Sequence, residues 1–190
     1  MANKTMDLDG KLTDQHKLSK VREFKERGNA AYKDGKFHKA AGSYHRAILY
    51  LKGLSVNCPD ILGALVSEGG GGASSNAAPK MSTEMIEEVR VLTCECYNNL
   101  AACMLKDSEP KYERIIQHCN TALEASPNNV KALFRKGTSQ YALRDYQEAL
   151  KTFEKAPPDP SIMKYTELCK AGMKMQDREM AARMKNMFKS

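Results

Sequence analysis

Residues 24–48 read FKERGNAAYKDGKFHKAAGSYHRAI, and this stretch decides the fold. Its residues have helical character on both sides of Asp34-Gly35, which predicts two helices joined by a tight turn. Gly28 lies inside the first helix, where glycine costs about 1 kcal/mol relative to alanine.

The same pattern recurs later in the chain. Gly137 begins a second copy, in which two alanines follow at the 12- and 19-residue intervals that separate Gly28 from Ala40 and Ala47. A middle copy, NNLAACMLKDSEPKYERIIQHCNTALEASPNN at 98–129, aligns with two extra residues at its turn. These small and aromatic positions are those of a tetratricopeptide repeat, a helix–turn–helix of about 34 residues. In such repeats the glycine and the alanines lie where the two helices of a pair cross closely, so the resemblance implies that a side chain would not fit at Gly28 or Gly137.

The pattern predicts an all-α tetratricopeptide-repeat solenoid of three helix pairs and a long C-terminal capping helix. We expect a flexible N-terminus at 1–12 and a single domain at 13–190. Within this domain, the repeats are predicted at about 21–54, 94–129 and 130–163, and the capping helix at about 161–189. A flexible Gly/Ser-rich insertion is expected at about 55–81. The helices are predicted at about 14–33, 36–52, from 82 onward, 110–126, 129–143, 146–156 and 161–189.

Two local features of these helices are predicted as well. Ser82 or Thr83 is expected to cap the helix that follows the insertion. In the capping helix an apolar set at helical spacing is expected to cover the helix before it; its members are Tyr165, Leu168, Cys169 and Met173.

Charge and cysteine usage limit the class of protein. The net charge of +7 suggests acidic partners, but the chain has no long Lys/Arg run and no nucleic-acid-binding motif, so nucleic acid is not predicted as a partner. Of the six cysteines, three fall at apolar helical positions, and there is no C-x-x-C and no signal peptide. A reducing compartment, the cytoplasm, is therefore expected. No apolar run approaches the roughly 20 residues that span a bilayer.

Enzyme chemistry is not indicated. The four histidines, His16, His38, His45 and His118, lie in no metal-ligand pattern and in no nucleophile-elbow sequence. There is also no phosphate-binding loop and no dinucleotide fingerprint. We expect neither catalysis, nor a cofactor, nor a metal.

Five polar residues on the first helices of the repeats form the candidate site. Lys25 and Asn29 share one helical face at i, i+4 spacing, and Lys131 and Arg135 repeat that spacing in the third copy. Asn99 precedes Arg135 by 36 residues, which is one repeat plus the two-residue insertion. In this fold the first helices line a concave groove that binds extended ligands.

Together these five residues resemble the dicarboxylate clamp of chaperone-binding tetratricopeptide domains, which has Lys and Asn in the first repeat, Asn in the second, and Lys and Arg in the third. The resemblance implies that the ligand is the C-terminal Glu-Glu-Val-Asp tail of the ninety- or seventy-kilodalton heat-shock chaperones. A C-terminal aspartate presents two carboxylates, and charge-assisted hydrogen bonds to them are worth about 1.5–3 kcal/mol each.

A narrower resemblance is to the tetratricopeptide repeat protein 9 family, which is related to the tetratricopeptide halves of large immunophilins. It is carried by YHRAIL (44–49), ECYNNLAAC (95–103), YERIIQHC (112–119) and KALFRKG (131–137), with a long insertion before the second repeat. No isomerase domain is expected within the chain.

Three functional hypotheses follow from these observations. The leading hypothesis is a non-enzymatic co-chaperone or adaptor that binds the acidic chaperone tail. The alternative is a scaffold whose groove holds another helix or peptide without recognising a chaperone tail. A third is a regulatory subunit that acts on an enzyme through its C-terminal helix.

Overall fold

The computed structural model describes residues 12–54 and 82–187, and these residues form seven α-helices. In chain order they are α1 (Asp14–Lys33), α2 (Phe37–Lys52), α3 (Thr83–Met104), α4 (Tyr112–Ala125), α5 (Val130–Ala142), α6 (Tyr146–Phe153) and α7 (Pro160–Met187). The all-α prediction is confirmed, and each helix lies within a few residues of its predicted position. The predicted insertion at 55–81 and the chain before residue 12 lie outside the described residues.

The described residues group into two compact units. The first ends at Cys103 and contains α1, α2 and α3 up to that residue, and the second begins at Met104 and contains α4 to α7. The prediction of a single domain over 13–190 stays a prediction.

In the first unit α1 and α2 cross at Gly28. A Cβ atom added there would lie 2.6 Å from the ring of Tyr44 on α2, closer than non-bonded atoms approach. The ring of Tyr44 is itself almost completely buried. The close crossing predicted from the mid-helix glycine is confirmed, and packing offsets the helix-propensity cost of about 1 kcal/mol.

The second unit repeats this crossing. A Cβ atom on Gly137 of α5 would overlap the ring of Phe153 on α6. A third contact of this kind was not predicted: Gly172 of α7 lies against the ring of Tyr146, at 2.6 Å from a Cβ built on the glycine. Glycine facing an aromatic ring is therefore the recurrent packing device of the fold.

The buried face of α7 differs from the predicted one. Cys169 is buried as expected, and Tyr165 makes edge and tilted ring contacts with Phe134 and Phe153. Leu168 was predicted to face inward, but it is 38% exposed, and Ile162 is buried instead. The reason is angular: adjacent helical residues are about 100° apart, so Leu168 turns away when Cys169 faces the core.

Local chemistry sets the helix ends. The backbone N–H of Met85 donates to Oγ of Ser82, so Ser82 rather than Thr83 caps α3. The helix α6 ends at Phe153, three residues before its predicted end at Ala156. Two prolines follow Ala156, and the residue before a proline is disfavoured in helical conformation.

The turns after α1 and α5 each have a left-handed residue seven positions beyond the packing glycine of the preceding helix. In the first unit this residue is Gly35, with φ of 74°. In the second unit it is Arg144, with φ of 63°. A side chain in this conformation costs about 1 kcal/mol or more because Cβ crowds the backbone.

Substitution of two glycines separates packing from helix propensity. In Gly28→Ala the new methyl group collides with the Tyr44 ring, so we expect a loss of about 1–3 kcal/mol of unfolding free energy. In Gly42→Ala, the control within α2, nothing lies within 4 Å of the new methyl group, so the change should stabilise the protein by up to about 1 kcal/mol. Urea denaturation measures both, and equal effects of the same sign would contradict the close crossing.

The turn at Arg144 predicts a stabilising substitution. Arg144→Gly removes the left-handed strain and should raise the unfolding free energy by up to about 1 kcal/mol. The control is Arg144→Ala, which keeps the left-handed strain. Both variants remove the exposed ion pair with Glu179 at 3.6 Å, so that loss is the same in each. Thermal unfolding of the two variants compares them directly, and an alanine variant at least as stable as the glycine variant would refute strain at this turn.

Candidate functional site

Three of the predicted site residues lie together in the first unit. Lys25 and Asn29 are on α1, and Asn99 is on α3. The side-chain oxygen Oδ1 of Asn29 accepts a hydrogen bond from Nδ2 of Asn99 at 3.3 Å. The same oxygen accepts a shorter hydrogen bond, 2.7 Å, from the hydroxyl of Tyr44. The amide of Asn29 is therefore held in one orientation from two sides.

Tyr44 connects this polar group to the core. Its ring packs on Gly28, the residue immediately before Asn29, and its hydroxyl reaches the Asn29 amide. Burial is the main cause that raises the pKa of Tyr44, so the phenol remains protonated at neutral pH and can donate. The position of Asn29 is thus determined by a core side chain rather than by a surface contact.

Lys25 has an anionic neighbour within the unit. Its Nζ donates to Oε2 of Glu95 on α3 at 2.6 Å. One turn earlier along α1, Arg22 forms two hydrogen bonds with Glu88 of α3, at 2.6 and 2.7 Å. Hydrogen bonding with Arg22 is the main cause that lowers the pKa of Glu88, and the charge of Lys25 adds to it. The facing sides of α1 and α3 therefore carry complementary charges.

The other two predicted site residues lie in the second unit. Lys131 and Arg135 are one turn apart near the start of α5, with Lys131 exposed and Arg135 half-buried. The side chain of Asn129 caps this helix by accepting from the backbone N–H of Ala132 at 3.0 Å. A helix N-terminus carries a partial positive charge, so Lys131, in the first turn, strengthens a potential that is already positive.

The structure thus places the five residues in two groups, one in each unit. Lys25, Asn29 and Asn99 form the first, and Lys131 and Arg135 form the second. Their role in binding stays a prediction.

Sequence reasoning missed two residues that contact the first group. Tyr44 was recognised only as a repeat position, although its 16-residue separation from Gly28 recurs between Gly137 and Phe153. Glu95 precedes Asn99 by four residues, so helical spacing alone places it on the same face. The partner of its carboxylate could not be predicted, because that depends on how close α1 and α3 lie.

The five cysteines in the described ranges are buried, and burial raises the pKa of the Cys96 and Cys119 thiols to about 12. Thiols of this kind are unreactive. Across 12–54 and 82–187 there is no group of three or more His, Cys, Asp or Glu that could hold a metal ion. None of the helices in these ranges combines the length and apolar character needed to cross a bilayer.

Solved structures with this fold include tetratricopeptide domains from several organisms. The C-terminal domain of an FK506-binding protein of Plasmodium falciparum has a TM-score of 0.68 and 23% identity, over 87% of this chain and 96% of that one. The Hsp90 co-chaperone Cns1 of Saccharomyces cerevisiae has a TM-score of 0.61 and 18% identity, over 91% of this chain and 45% of that one. The tetratricopeptide domain of Arabidopsis OM64 has a TM-score of 0.55 and 21% identity, over 82% and 98%.

These likenesses show the fold, and a sequence relative shows the family. No family model matches the chain. Tetratricopeptide repeat protein 9C of Xenopus tropicalis is 32% identical over 175 residues, which cover 90% of this chain and 93% of that protein. The chain therefore belongs to the tetratricopeptide repeat protein 9 family.

Proposed function

We propose that this tetratricopeptide protein-interaction module is a non-enzymatic co-chaperone or adaptor that binds the acidic C-terminal tail, Glu-Glu-Val-Asp, of ninety- or seventy-kilodalton heat-shock chaperones in the cytoplasm. The residues that bind the tail are Lys25, Asn29, Asn99, Lys131 and Arg135. The tail's terminal aspartate carries two carboxylates, and these residues supply ammonium, amide and guanidinium donors, which all form charge-assisted hydrogen bonds with carboxylates.

The orientation of Asn29 is the observation that carries the proposal. Tyr44 and Asn99 both donate to Oδ1 of Asn29, so the oxygen is engaged inside the unit. An amide fixed in this way has its Nδ2 group directed away from those donors and ready to donate to an anion. Preorganised donors on helices bind a ligand without the entropy cost of ordering side chains.

The charges of α5 support the same ligand class. Lys131 lies in the first turn, where a cation opposes the helix dipole by roughly 0.3–1 kcal/mol. A residue that lowers the stability of its own helix is readily explained if it serves an anionic ligand. Among proteins that share the fold, Cns1 is named as an Hsp90 co-chaperone, which agrees with this class of partner.

Alanine substitutions in α5 test the proposal. A free-acid peptide ending in Glu-Glu-Val-Asp should bind with a Kd of order micromolar, roughly −8 kcal/mol. Lys131→Ala and Arg135→Ala should each weaken binding about tenfold or more, because each removes a cation from a desolvating carboxylate. Lys131→Ala should also leave the unfolding free energy unchanged or slightly higher, because it relieves the unfavourable dipole interaction.

The matched control is Lys151→Ala, which removes an equal charge from α6 in the same unit, where the lysine pairs with Glu148 at 2.6 Å. Isothermal titration calorimetry of the three variants gives the comparison. If all three weaken binding equally, the peptide senses only net charge. If the wild-type protein does not bind the peptide at all, the alternative of a scaffold for another peptide takes its place.

A further inference from the structure

We propose that Glu95 is an internal competitor for Lys25, which lowers the affinity of any ligand whose carboxylate binds that lysine, so that a ligand needs further contacts to bind tightly. This inference rests on the proposed function, because it concerns a lysine of the same site. Glu95 supplies, from within the chain, the chemical group that the ligand would supply from outside.

The geometry places the competing carboxylate at the lysine. Oε2 of Glu95 lies 2.6 Å from Nζ of Lys25, the distance of a charge-assisted hydrogen bond. The side chain of Lys25 is 23% exposed and that of Glu95 is 45% exposed, so the pair lies where a ligand can reach it. Glu95 is also one helical turn from Asn99, on the face of α3 that carries the site amide.

The repeat pattern singles out Glu95 among the acidic residues. Glu95 precedes Lys131 by 36 residues, the same separation that relates Asn99 to Arg135. The second repeat therefore carries an anion at the position where the third carries a cation. The neighbouring carboxylate, Glu88, is held by two hydrogen bonds from Arg22, which leaves Glu95 as the residue that bonds directly to Lys25.

The strength of the Lys25–Glu95 ion pair indicates that Glu95 weakens ligand binding at Lys25 without preventing it. An exposed ion pair shifts an equilibrium by no more than about fivefold. Every ligand that binds Lys25 must displace Glu95 and exchanges one ion pair for another, so each gains little at this lysine. A ligand with further carboxylates also binds other donors, and those contacts supply its affinity. Glu95 therefore lowers the affinity at Lys25 by a fixed factor of a few-fold.

The direct test is Glu95→Gln in the full chain, titrated with the free-acid peptide ending in Glu-Glu-Val-Asp. This change keeps the size of the side chain and removes its charge, so affinity should rise about two- to fivefold. The matched control is Glu87→Gln, which removes an equal charge from the same helix, where Glu87 pairs with Arg90 at 2.7 Å. The control should change affinity by less than Glu95→Gln does.

The same two substitutions in a protein that lacks the Lys25 side chain show whether Glu95 acts on affinity through this lysine. In Lys25→Ala protein, Glu95→Gln should no longer differ from Glu87→Gln, since the contested partner is absent. Equal affinities of the two glutamine variants in the wild-type background would overturn the competitor role while leaving tail binding intact. Failure of the wild-type and Glu95→Gln proteins to bind the peptide would instead overturn the proposed function, and the inference with it.

Discussion

The contact between Gly28 and the ring of Tyr44 is the constraint on which the first unit depends. Because glycine has no side chain, α1 and α2 approach until the ring fills the space where a Cβ would lie. The same approach brings the phenol hydroxyl to Asn29, whose amide also accepts from Asn99 of α3. One aromatic side chain therefore packs two helices and orients a polar group that α1 and α3 share.

The second unit has the same glycine–ring contact, but its ring belongs to a phenylalanine. Phe153 fills the space at Gly137 but has no hydroxyl, so this ring cannot hold a polar side chain. Thr138, the residue after Gly137, donates instead to the carbonyl oxygens of Phe134 and Arg135 in its own helix. Its candidate binding groups are the cations near the start of α5. The first unit thus presents the oriented amide of Asn29, and the second presents cations on α5, a helix whose N-terminus carries a partial positive charge.

Much of the fold follows from local sequence signals. The first helix has its predicted bounds, Asp14–Lys33, and mid-helix Gly28 and Gly137 correctly indicated close crossings. Where prediction failed, the deciding interaction was not local. The burial of Ile162 in place of Leu168 depends on the rotation of α7 about its own axis, which its packing around buried Cys169 sets.

The candidate site was predictable to a similar depth. Repeat spacing identified Lys25, Asn29 and Asn99, and the structure places these three in one group. The sequence could not reveal that Glu95 bonds to Lys25 or that Tyr44 bonds to Asn29, since those contacts depend on interhelical distances of a few ångströms. The type and position of each residue can be read from the sequence, whereas the hydrogen-bond partner of each side chain depends on the tertiary structure.

The central claim is that the module recognises the free carboxylate of a chain terminus, and one comparison of ligands tests it most directly. The peptide ending in Glu-Glu-Val-Asp is titrated against the wild-type protein beside an otherwise identical peptide with an amidated C-terminus. Amidation removes one negative charge and leaves sequence and length unchanged. The account predicts that the amidated peptide loses most of its affinity, because the donors at the site lose one of the two carboxylates of the terminal aspartate. Equal affinity for the two peptides would contradict it.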